Sequence, residues 1–137
     1  MNDRPTAEEL IAAARHFLQE ELLPALADRR LRFQTLVAAN VLSIVERELR
    51  SEAAHLRQEW EWLAPLLERP KAAPAEIADL REAVLDANRE LCERIRHGAF
   101  DEPTCFDTVA KGVRRTVERK LEIANPKYLA EFRREEH

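Results

Sequence analysis

Apolar side chains return every three or four residues along nearly the whole chain, and β-branched residues never alternate with polar ones as a half-buried strand requires. Leu10, Ala14, Phe17, Leu18 and Leu22 keep that period, as do Ile77, Leu80, Val84, Leu91 and Ile95 farther along. Each such stripe asks for a neighbouring helix to cover it. Ala, Leu, Glu and Arg, all strong helix formers, dominate the composition, and glycine occurs twice. The expectation is all-α: a single-domain bundle over residues 1–137, of about five amphipathic helices plus a short C-terminal helix. A chain of that length buries roughly two thirds of the surface its unfolded form exposes.

Local signals divide the pattern. Thr6 and Glu9 form the Thr-x-x-Glu capping box of a first helix, which Pro24 kinks or ends near Leu23. A second helix, Leu31 to Arg50, carries Phe33, Leu36, Val37, Val41, Ile44 and Leu49 around most of its circumference, the mark of a central helix. A third, Ser51 to Glu68, runs on from it after a bend, with Leu56, Trp60, Leu63 and Leu67 as its core stripe. Pro74 falls in the first turn of a fourth helix that ends at Gly98. Asp101, Glu102 and Pro103 open a fifth, whose inward face is Phe106, Val109, Val113, Val117 and Leu121. Asn125 caps the final short helix, with Pro126 as its first residue and Tyr128, Leu129 and Phe132 turned inward.

Several functions lack the residues they need. No apolar run approaches the ~20 residues of a membrane span, and the N-terminal residues lack the basic-then-apolar order of a signal peptide, so a cytoplasmic location is expected. The net charge of −4 offers no general attraction for nucleic acid or an anionic membrane. Two isolated glycines cannot build a phosphate-cradling loop. Cys92 and Cys105 are expected to be unpaired, small buried thiols. Glu52 and His55 form one Glu-x-x-His pair, but a di-iron bundle needs that unit on two helices, so no metal site is assigned and the pair reads as a solvated ion pair. No cofactor and no catalytic residue is assigned.

Three features invite a functional reading beside a structural one. Lys111, Arg115 and Arg119, four apart, make a basic stripe that suits phosphate or an acidic partner, or simply a solvated face near a helix C-terminus. Asn40 shares a face with Phe33, Val37 and Ile44, so it is either a buried polar contact between helices or the anchor of a small pocket. Trp62 and Leu66 lie more than 100° from the stripe of their own helix. They complete the core against the final helix or form a self-association surface, and a homodimer is expected.

Three segments carry a resemblance: Arg4 to Leu10 (RPTAEEL), Arg32 to Glu48 (RFQTLVAANVLSIVERE) and Lys120 to Leu129 (KLEIANPKYL). Together they resemble a bacterial family of small helical proteins classed as a domain of unknown function. Members of that family are often encoded beside aminoglycoside-phosphotransferase-like kinases and acyl-CoA dehydrogenases. The resemblance therefore implies a non-catalytic accessory or interaction protein serving a kinase-like or acyl-CoA-related enzyme. The alternative is a small-molecule or acyl-group binding protein, and conceivably an enzyme, with an inter-helix pocket near Arg32, Asn40, Asn125, Lys127 and Tyr128.

Overall fold

A computed structural model describes residues 3–137. Its helices are α1 (Ala7–His16), α2 (Arg29–Leu66), α3 (Ile77–Arg96), α4 (Pro103–Ala124) and α5 (Pro126–Glu135), and no strand occurs among the described residues. The all-α expectation holds. The described residues form two compact units: one runs up to Ser51 and takes in Ile123–Asn125, and the other comprises Glu52–Glu122 and Pro126–His137.

The first unit is an αα-hairpin. Its capping box is formed as expected: Thr6 Oγ1 accepts from the Glu9 N–H at 3.2 Å, and Glu9 Oε2 accepts from the Thr6 N–H at 2.8 Å. Beyond α1 the backbone widens into a π-helical segment, Phe17–Leu22, in which the Leu23 N–H donates to the Leu18 carbonyl five residues back. Pro24, with no N–H to give, follows at once, and the chain leaves the helix at Leu26. Asp28 restarts it by accepting the Leu31 N–H at 3.0 Å. Glu8 meets Arg50 and Arg15 meets Glu46, so α1 and the first half of α2 run antiparallel.

The second unit holds the clustered core. Trp60, Leu63, Ala64 and Leu67 from the end of α2 pack with Leu80, Val84, Ala87 and Leu91 of α3 and Val109 of α4. Asn88 donates to Glu59 at 2.7 Å beside this core, so the buried carboxylate has a partner. Gly112 admits the closest approach: a Cβ there would lie 2.5 Å from Trp62 Cε3, so the indole rests on the α4 backbone, and its Nε1–H donates to Thr116 Oγ1 at 3.3 Å. That contact fixes which side of α4 turns inward, namely Val109, Gly112 and Thr116.

Several sequence expectations are corrected. The helices expected at Leu31–Arg50 and Ser51–Glu68 are one helix, since no proline or glycine interrupts the junction. It is closed by Glu68 in the left-handed region at φ 58°, with the Arg69 N–H donating to the Ala64 carbonyl at 2.8 Å. Pro74 lies outside α3, whose N-cap residue is Glu76. On α4, Phe106, Val113 and Val117 face outward, and on the other helices Leu10, Phe17, Ile95 and Tyr128 are also exposed. The first half of α2 is not a central helix, because only its Ala39 and Glu46 side is enclosed. Cys92 and Cys105 are unpaired as expected, but both are exposed. No described helix is long and apolar enough to cross a membrane.

Candidate functional site

The residues singled out in the sequence fall in both units. Arg32, Asn40 and Asn125 belong to the hairpin unit, whereas Lys127 and Tyr128 belong to the other. Arg32 Nη1 donates to the carbonyls of Leu23 at 2.8 Å and Leu26 at 2.9 Å, so its guanidinium satisfies the helix end that Pro24 leaves open. Asn40, expected to be buried, is exposed, because the enclosed side of α2 is the one opposite. Trp62 and Leu66 pack against the core of their unit, which is the intramolecular of the two alternatives, although α4 rather than the final helix receives the indole.

The charged candidates have separate surroundings. Lys111 binds Asp107 at 2.9 Å within α4, while Arg119 is half-buried with Nη1 enclosed and without a hydrogen bond. Glu52 pairs with Arg81 at 2.7 Å and His55 lies 3.6 Å from Glu122, so the Glu-x-x-His pair is divided between different partners. Among the described residues no three His, Cys, Asp or Glu side chains converge as metal ligands. Glu102 accepts the Cys105 and Thr104 N–H groups at the start of α4, which holds its carboxyl below the usual value, and its hydrogen bond with the Cys105 thiol pushes that thiol up. In the hairpin, Arg15 grips buried Glu46 with both arms of its guanidinium and lowers that carboxyl's pKa chiefly by hydrogen bonding.

What the structure does assemble is apolar surface. On the second unit, Phe106, Val113 and Val117 stand outward along α4. Phe106 and Val113, with Ile95, Phe100 and Val109, line a concavity of about 400 Å³, and Val117, with Leu121, Leu129 and Phe132, lines a second of about 280 Å³. Arg114 borders both, 5.6 Å above the Phe132 ring and hydrogen-bonded to Glu118 and Glu136. Its charge is answered within the chain, so the surface is suited to apolar groups more than to a free anion. On the hairpin, Phe33, Leu36, Val37 and Val41 are exposed together on one helix. Sequence periodicity marked these residues as apolar stripes, but it could not tell which stripe a neighbour covers.

Comparison with known proteins adds one match. The sequence profile of the family described as Domain of unknown function (DUF6285) covers residues 24–128, which includes the Arg32–Glu48 segment noted above and all but the last residue of the Lys120–Leu129 segment. No curated protein and no solved structure matches. With most of its length inside that profile, the chain belongs to this family of unknown function.

Proposed function

We propose that the protein is a non-catalytic accessory protein of the bacterial cytoplasm, working as a homodimer and docking on a kinase-like or acyl-CoA-related enzyme. The observation that carries this reading is the outward stripe of α4, where Phe106 is 63% and Val117 49% exposed. Side chains of that size are costly to leave in water and typical of the centre of an interface. The net charge of −4 argues against nucleic acid as the partner. The enzyme classes come from the resemblance and from no residue of this chain.

The test is affinity capture of the tagged protein from its native host beside a Val113→Asp/Val117→Asp variant. Both positions are exposed, so the variant is expected to keep its fold, which circular dichroism checks. Retention of a kinase-like or acyl-CoA-related enzyme by the native chain, lost in the variant, is the expected result. Equal retention by both would remove α4 from the reading, and retention of no such enzyme would remove the accessory role.

A second reading, acyl-group or small-molecule binding, is favoured by the concavity of about 400 Å³ with its almost wholly apolar lining. It moves the binding site from the expected Arg32, Asn40, Asn125, Lys127 and Tyr128 to the Phe106 side of α4. A thermal-shift series with acyl-CoAs of increasing chain length separates the readings. Stabilisation that grows with chain length and vanishes in Val113→Asp supports the second, and no stabilisation at any length removes it.

A further inference from the structure

The hairpin unit carries its apolar side chains on the outside. Ala39 is its single fully enclosed apolar residue among those described, and the clustered core lies wholly in the other unit. Phe33, Leu36, Val37 and Val41 are 67%, 50%, 46% and 50% exposed. These four stand together on one helix as an apolar patch of the kind that is often functional. From Phe33 to Val45 the helix carries no charged residue, in a chain where charged residues make up 35%.

The spacing is specific. Phe33, Val37, Asn40 and Ile44 follow one another at four, three and four residues, the rhythm of a coiled-coil seam, with Leu36 and Val41 on its flanks. Ala39 and Glu46 mark the opposite side of α2, where Arg15 of α1 reaches across. The seam therefore faces away from α1.

We infer that this face is closed by the same face of a second copy, on a two-fold axis passing near Asn40. The inference rests on the dimeric reading above and supplies its surface. Phe33, Leu36, Val37 and Val41 supply the apolar centre that such an interface needs. An isologous contact sets a residue on the axis against its own equivalent, and the uncharged stretch around Asn40 brings no like charges together there. The one polar residue of the seam is an asparagine, whose carboxamide is both donor and acceptor, so two copies satisfy each other. A wholly apolar partner would leave that amide unpaired.

The test uses the full chain with Cys92→Ser and Cys105→Ser, so that no native thiol contributes. Asn40→Cys, at an exposed position, is oxidised mildly beside Ala38→Cys, which lies exposed on the other side of the helix. A disulfide-linked dimer is expected in high yield from the first and in trace from the second. In parallel, Val37→Asp/Val41→Asp in the native sequence is expected to weaken dimerisation at least 100-fold in sedimentation equilibrium, with unchanged helicity by circular dichroism. A dimer unaffected by the aspartates, or Asn40→Cys linking no better than Ala38→Cys, overturns this face and leaves the dimeric reading standing. A native chain that sediments as a monomer at tens of micromolar overturns both.

Discussion

Replacing Gly112 with alanine tests the packing of α4 most sharply, because two effects of opposite sign meet at one atom. Alanine is the better helix former by about 1 kcal/mol, so on an open helix face the substitution would stabilise. Here the added Cβ would fall 2.5 Å from Trp62 Cε3, 2.6 Å from Cζ3 and 2.9 Å from Cδ2. Relaxing to an ordinary carbon–carbon contact of about 3.5–4.0 Å means moving a rigid ring by roughly 1 Å. That ring is also held by its hydrogen bond to Thr116 at 3.3 Å. Overpacking of this kind costs about 1–3 kcal/mol, and loss of the hydrogen bond about 1 kcal/mol more. The net expectation is destabilisation by about 1–3 kcal/mol, or a Tm lowered by roughly 4–12 °C for a chain of this size. Thermal and urea unfolding followed by circular dichroism reads it out, with Trp62→Leu as second background. Once the indole is gone, Gly112→Ala is expected to become stabilising by about 0.5–1 kcal/mol. A raised Tm in the native sequence, or the same change in both backgrounds, would refute the close contact.

Other consequences are simpler. Glu68 ends α2 at φ 58°, so Glu68→Gly is expected to raise stability by about 1 kcal/mol in urea titrations; a loss would mean that its side chain, not its backbone, closes the helix. Leu63→Ala, at a side chain with 0% exposure, is expected to cost about 2–5 kcal/mol, and a cost below 1 kcal/mol would contradict its place in the core. Arg15 holds Glu46 below its ordinary pKa of 4.5, so the stability it adds is present above that pH and fades as pH falls through the lowered value. Glu46→Gln is then expected to be less stable than the native chain at about pH 7 and to approach it at about pH 3; an equal deficit at both would exclude the ion pair as the cause. Both thiols are exposed, so Cys92 and Cys105 are expected to react with a chromogenic disulfide reagent in the folded state, with Cys105 the slower because Glu102 raises its pKa.

Local chemistry was readable in the sequence, and orientation was not. The box of Thr6 and Glu9, the stop at Gly98 and the starts at Pro103 and Pro126 each depend on two or three adjacent residues, and each is where periodicity and capping placed it. The inward side of α4 depends on a residue fifty positions away: Gly112 is a weak helix former until Trp62 is seen lying on it. The stripe Phe106, Val113 and Val117 is regular enough to pass for a core face, and it is on the outside because the smaller side of the helix allows closer packing. Asn40 was legible as a polar residue within an apolar face but not as an exposed one. Its amphipathic pattern is the same whether the covering helix belongs to this chain or to another copy. The hydrogen bonds of Arg32 were not legible for the same reason: the open carbonyls of Leu23 and Leu26 appear only once the π-helical segment is formed.

With Ala39 as its single enclosed apolar residue among those described, the hairpin is expected to owe its stability to the association inferred above rather than to its own core. Amide hydrogen exchange across dilutions spanning the dissociation constant found by sedimentation tests this directly. Protection of amides 31–49 is expected to fall as the protein is diluted, while that of amides 80–91 in the clustered core stays constant. Protection of 31–49 that does not change with concentration would contradict the account.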